Sequence, residues 1–207
     1  MLSDLVNLLF PSTCFGCKKL GEILCPTCRE MLRPHERNEF EYLSTVACAG
    51  NYSGWLRSAV LGVKEGDVRA MPALVKAVAT AWQILPVANR PAAIVPIPST
   101  TEKIRVRGSD TILKLSQGLQ RELRNLGQPE TSVNPILKLN RVVQDQVGLD
   151  ATMRQLNLQD AFSAISAISG PVVILDDVVT TGSTLNAAAK ALTIAGAQKV
   201  FGISICG

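Results

Sequence analysis

The 207-residue chain is 47% hydrophobic, enough to bury an ordinary core, which excludes a disordered protein. Its net charge of +4 suits phosphate-bearing partners but falls short of a dedicated nucleic-acid binder, and 4% aromatic residues leave few rings for base stacking. No apolar run approaches the roughly 18 residues of a membrane span, and the start, MLSDLVNLLFPSTC, carries Asp4 and lacks the basic region of a secretory signal, so a cytoplasmic protein without a membrane span is expected.

Cys14-Phe15-Gly16-Cys17 and Cys25-Pro26-Thr27-Cys28 form two C-x-x-C knuckles separated by seven residues. Each tight turn aims two thiolates at one point, and together they suit a tetrahedral zinc site. Gly16 and Pro26 are the turn residues. Reduced surface thiols or a redox pair are the alternative, and an iron centre would use the same sulfurs. A metal would supply folding energy that so small a segment cannot gain by burial, so residues 1–36 read as a structural zinc module. His35 lies just outside it and reads as a surface or linker residue, while Cys48 and Cys206, in apolar surroundings, read as core.

After a polar stretch at 34–41, strands and helices alternate. Residues 44–50 are strand-like; 53–63 form a helix that ends at Lys64-Glu65-Gly66-Asp67. Residues 72–85 read as a helix with Leu74, Val75, Val78 and Trp82 on one face, and 92–97 as a short buried strand. The clearest amphipathic helix is 110–126, with Ile112, Leu115, Leu119, Leu123 and Leu126 at steps of three and four. A strand near 133–137, a polar loop, a short helix at 151–157, the strand VVILD, a helix at 184–195 and a strand at 199–205 complete the order. The alternation predicts one α/β domain over 44–207, with a parallel sheet covered on both faces.

Residues 172–185 read VVILDDVVTTGSTL. In an open parallel sheet, ligands bind at the carboxyl ends of strands, and Asp176 and Asp177 stand at such an end. Adjacent carboxylates repel, and a site that tolerates them offers cations or hydroxyl donors, of which a ribose diol is one pair. Thr180, Thr181, Gly182, Ser183 and Thr184 then open a helix whose unpaired N–H groups suit a phosphate dianion, Gly182 letting the backbone approach closely. Diol acceptors beside a phosphate cup describe a ribose 5-phosphate. Taken separately, an acidic strand end and a hydroxyl N-cap are each common. The chain has no G-x-x-x-x-G-K-[ST], so a Walker-type nucleotide site is excluded.

ILDDVVTTGSTL resembles the PRPP-binding signature of the type I phosphoribosyltransferases. Along nearly its whole length the chain is similar to the ComF/GntX family, bacterial proteins associated with DNA uptake during competence or described as phosphoribosyltransferase-like. The likeness is carried by the four cysteines, Leu61-Gly62-Val63-Lys64, IVPIP with Arg105-Val106-Arg107-Gly108, Leu139-Asn140-Arg141, Asp145-Gln146-Val147-Gly148-Leu149, Arg154 and the PRPP loop. Two departures stand out: Arg107-Gly108-Ser109-Asp110-Thr111 replaces the common R-G-F-N-Q, and Lys64-Glu65 replaces Lys-Tyr.

The resemblance implies a type I phosphoribosyltransferase-like parallel sheet flanked by helices, with a small N-terminal zinc-binding module. It implies that Asp176 and Asp177 take the ribose hydroxyls, directly or through Mg2+, and that Thr180 to Thr184 bind the 5-phosphate. The loop after IVPIP would face pyrophosphate, with Arg105 and Arg107 supplying charge; the alternative is a solvated basic face, because Lys103, Arg105 and Arg107 alternate as on an exposed strand. Lys64 reads equally as a phosphate partner or a plain helix-end lysine. The polar segment from Arg141 to Gly148, with Arg141 and Gln146 as its candidate residues, resembles the mobile loop that closes over such reaction centres, and would look the same as a surface loop.

The implied reaction is Mg2+-dependent displacement of pyrophosphate from C1 of PRPP by a nitrogen nucleophile, through an oxocarbenium-like transition state. Asp176 and Asp177 would be the catalytic carboxylates. The acceptor, a nucleobase or another amine, is not identified; a hood could come from the zinc module and nearby Phe15, Phe40, Tyr42 and Tyr52. Two readings stand beside the enzyme. One is a PRPP or nucleotide sensor without turnover. The other is a competence accessory protein that handles single-stranded DNA through its zinc module and the basic residues concentrated there, Lys18, Lys19, Arg29, Arg33 and Arg37.

Overall fold

The computed structural model describes residues 13–87, 90, 92–140 and 161–207. The helix expected at 151–157 and the loop residues Arg141, Gln146 and Arg154 lie outside the described residues. The elements are α1 (Pro26–Glu30), β1 (His35–Arg37), β2 (Val46–Gly50), α2 (Gly54–Lys64), a 3-10 turn (Val68–Ala70), α3 (Met71–Trp82), β3 (Ala92–Pro96), α4 (Thr101–Arg107) and α5 (Thr111–Asn125). There follow β4 (Thr131–Val133), β5 (Leu137–Leu139), β6 (Phe162–Ala164), β7 (Pro171–Val178), α6 (Ser183–Ile194) and β8 (Lys199–Cys206).

Six strands form one sheet in the order β1-β2-β8-β7-β3-β4. All neighbours from β2 to β4 run parallel, and only the edge strand β1 is antiparallel to its partner. β5 and β6 pair as a separate antiparallel ribbon. The result is a mixed α/β fold around a mostly parallel sheet. Alternate residues of each strand feed opposite faces. Ile94, Val173, Leu175 and Ile203 pack with α2, α3 and α5 on one side. Val95, Val172 and Ile174 pack with α6 and the β5–β6 ribbon on the other. Double coverage explains why Val172 to Leu175 are fully buried and read as one unbroken apolar run. The cysteine segment joins the first of these cores: Cys14, Leu24, Cys28 and Leu32 are buried in the same cluster as α3 and the sheet.

Four local expectations change. The single strand at 133–137 is two strands in different sheets, separated at Asn134-Pro135-Ile136. Pro135 has no N–H to give a ladder, so pairing stops there. Lys103, Arg105 and Arg107 lie on α4 and not on a strand: Thr100 caps that helix, its hydroxyl accepting the Lys103 N–H at 3.3 Å. The polar stretch at 34–41 contains β1, which pairs His35 with Cys48 and Arg37 with Val46 despite having no apolar alternation. Asp110 starts α5 by accepting the Ile112 and Leu113 N–H groups, while Leu126, expected on its apolar face, falls at the cap and is exposed. Among the described residues no helix is long and apolar enough to cross a membrane.

Candidate functional site

β3 leads by way of α4 to α5 on one face of the sheet, and β7 leads to α6 on the other. Neighbouring parallel strands whose connections part in this way open a crevice at their carboxyl ends. A cleft of about 270 Å3 lies there, between the segment Ile97 to Thr100 after β3 and Asp176, Asp177 and Val178 at the end of β7. Lys64, Lys103 and Arg107 bring positive charge to it, and Thr184 borders it from α6. Leu139 and Phe162, from the β5–β6 ribbon, give it an apolar wall.

Burial pushes the Asp176 carboxyl up to about 7, and the neighbouring Asp177 charge adds to this. The Asp177 N–H, which donates to Asp176 Oδ1 at 2.8 Å, and the charges of Lys64 and Lys103 act in the opposite direction. Lys64 Nζ lies 2.9 Å from Asp177 Oδ2. A lysine from α2 thus offsets the charge of Asp177, while burial favours the protonated form of Asp176.

Beyond the acids the chain turns through a cup of about 30 Å3 lined by Asp176 and by residues 178–185. Gly182 caps α6 in the left-handed region at φ +74°, and the Thr181 and Ser183 hydroxyls lie 2.8 Å apart. The first N–H groups of α6 lack intrahelical acceptors, and the helix dipole favours an anion beside them. Gly182 has a second role that sequence reasoning missed. A Cβ there would run into the ring of Phe40, which lies on this glycine.

The four sulfurs of Cys14, Cys17, Cys25 and Cys28 lie within 4.8 Å of one another, with Cys17 and Cys25 at 3.8 Å. Four thiolates about 2.3 Å from a central zinc would sit roughly 3.8 Å apart, so the set fits such an ion. The Cys25 N–H points at the Cys14 sulfur at 3.4 Å. Burial raises the Cys14 thiol, but N–H groups of Cys25, Cys17 and Gly16 hold it down to about 6; burial and the adjoining thiols push Cys28 up to about 12. A side chain at Gly16 would collide with the Cys28 sulfur, at 2.7 Å from its Cβ.

Over 114 residues the chain is 38% identical to Competence protein F of Haemophilus influenzae, a match that covers 53% of this chain and 48% of that protein. The likeness to the ComF family is borne out. The chain spans about half the length of the curated relative it matches. No family model matches it.

Of the residues singled out by the ComF likeness, Lys64, Arg107, Asp176, Asp177 and Thr184 meet in one cleft, and Thr180 to Ser183 line the cup beside it. Arg105 does not line the cleft. On a helix, Lys103 and Arg107 share a face at i and i+4 and Arg105 falls on the far side. Lys103 is therefore a cleft residue that the strand reading did not separate from its neighbours. Arg37, expected among the basic residues of the module, instead reaches the cup loop, its guanidinium donating to the Val179 and Thr180 carbonyls at 3.2 and 2.7 Å. Arg33 donates to the Glu30 and Leu32 carbonyls, and Lys18 lies over the Phe15 ring. Among the hood candidates, Phe15, Phe40 and Tyr42 pack against the cores, whereas Tyr52 is exposed beside Arg57.

Proposed function

We propose that this ComF relative is a type I phosphoribosyltransferase-like protein that binds PRPP and transfers its phosphoribosyl group to a nitrogen acceptor, releasing pyrophosphate. The supporting observation is that Asp176 borders both the cationic cleft and the helix-capped cup, so one carboxylate adjoins a place for pyrophosphate and a place for a 5-phosphate.

In this reading the 5-phosphate sits in the loop of Thr180 to Thr184 and the ribose hydroxyls face Asp176 and Asp177. The C1–O bond to pyrophosphate breaks, an acceptor nitrogen forms the new bond to C1, and that nitrogen gives up its proton. Fixed carboxylates near the ring stabilise positive charge as it develops, and Lys64, Lys103 and Arg107 stabilise the departing oxygens. The acidic pair also fits Mg2+, which would neutralise pyrophosphate oxygens when bound. The four thiolates suit a structural zinc ion, and six unpaired cysteines suit a reducing cytoplasm.

The test is calorimetric titration of PRPP with Mg2+ into the metal-loaded wild type and into Asp176→Asn/Asp177→Asn, followed by assay of pyrophosphate release with candidate bases and amines. Binding that the double variant loses, with release on adding an acceptor, establishes the enzyme. Binding without release favours a sensor. No binding by folded wild type removes the PRPP reading, and affinity for single-stranded DNA that falls steeply with salt would then favour the accessory role.

A further inference from the structure

The segment from β1 into β2 contacts the cup loop at three places and α6 at a fourth. Arg37 donates to the Val179 and Thr180 carbonyls, the Phe40 ring covers Gly182, and the Tyr42 N–H donates to Asn186 Oδ1 at 2.9 Å. Arg37 is itself fixed. Its Nε and Nη2 reach Glu39 Oε1 at 2.7 and 2.6 Å, its carbonyl accepts from the Thr45 hydroxyl at 3.3 Å, and its guanidinium lies 5.6 Å from the centre of the Phe40 ring. In a trans peptide the C=O and the next N–H point in opposite directions. Holding the carbonyls of residues 179 and 180 toward the guanidinium therefore turns the Thr180 and Thr181 N–H groups away from it. Thr180 and Thr181 line the cup and Arg37 does not, so the arginine lies behind the loop.

We propose that Arg37 is the positioning residue of the anion loop: clamped by Glu39, it orients the Thr180 and Thr181 N–H groups toward a phosphate dianion without touching it. This rests on reading the cup as a 5-phosphate site. A forked, planar guanidinium suits the task because its donors hold two carbonyls and a carboxylate in one fixed plane, whereas an ammonium is a rotatable point charge.

The metal-loaded 207-residue wild type, Arg37→Lys and Glu39→Gln are titrated with ribose 5-phosphate and, separately, with magnesium pyrophosphate. Amide hydrogen exchange of the ligand-free proteins is followed in parallel. Arg37→Lys should weaken ribose 5-phosphate about tenfold and leave magnesium pyrophosphate within about twofold. Exchange should rise across 179–186 and not elsewhere. Glu39→Gln should do the same to a smaller degree, and it carries the test if Arg37→Lys does not fold. Unchanged exchange in the loop, or equal weakening of both ligands, overturns the proposal. If wild type binds no ribose 5-phosphate while exchange still rises in the loop, the ordering role stands and the ligand assignment falls.

Discussion

Lys64 Nζ and Asp177 Oδ2, 2.9 Å apart, join the last residue of α2 to the end of β7. The pair is partly exposed, at 34% and 20% of the two side chains, so it contributes about 1 kcal/mol or less to stability. Its larger effect is on charge in the cleft. Lys64→Gln should therefore shift the thermal midpoint by only a few degrees while weakening PRPP about tenfold and ribose 5-phosphate less than threefold, measured by calorimetry. Equal losses for the two ligands would take Lys64 away from the pyrophosphate end.

Asp176, raised from 3.8 to about 7, holds in the folded state a proton that the unfolded chain has already released at intermediate pH. That contribution to stability is present in full below about 3.8, declines as pH rises and is gone above about 7. Asp176→Asn removes the dependence. The difference in melting temperature should move in the variant's favour between pH 5 and pH 8, and a difference that does not change with pH would mean Asp176 is already ionised at pH 5.

The two arginines of α4 should behave differently because only Arg107 lines the cleft. Arg107→Glu should weaken PRPP by about tenfold or more, and Arg105→Glu by less than threefold at about 0.15 M salt, where exposed charges are largely screened. Comparable losses would indicate that Arg105 reaches the ligand.

Gly182→Ala faces two obstacles, a φ of +74° and the Phe40 ring. The first costs roughly 1–2 kcal/mol for a residue with a Cβ, and the second adds a steric clash. Denaturant unfolding should show Gly182→Ala destabilised by about 2–4 kcal/mol. Adding Phe40→Ala should recover part of that loss. No recovery in the double variant would place the cost in the backbone alone.

Metal removal should be felt beyond the cysteines because Cys14 and Cys28 lie in the same buried cluster as α3 and the sheet, with Trp55 packed against it. Stripping with a strong chelator should lower the thermal midpoint by about 10 °C or more and alter tryptophan emission, with restoration on adding zinc. A metal-stripped protein that melts like the loaded one would show that apolar packing alone holds the segment.

The elements that bury a regular apolar pattern were legible in the sequence. β7, α5 and α6 owe their positions to runs and periods that any core-facing strand or helix must show. The cysteine cluster was legible for a similar reason, since chelation requires close spacing along a short chain. The acids at the end of β7 and the hydroxyls after it were also readable as a strand end running into a helix start.

What the tertiary structure decided is what touches those residues. Helical phase, set by the Thr100 cap, put Lys103 and Arg107 in the cleft and Arg105 outside it. Pro135 divided one expected strand between two sheets. Arg37 and Phe40 reach the cup loop across some 140 residues of chain because an antiparallel edge strand with no apolar alternation places them there. Local patterns record burial and backbone geometry, whereas a contact across the sheet depends on strand order, and strand order leaves no periodic mark on either partner.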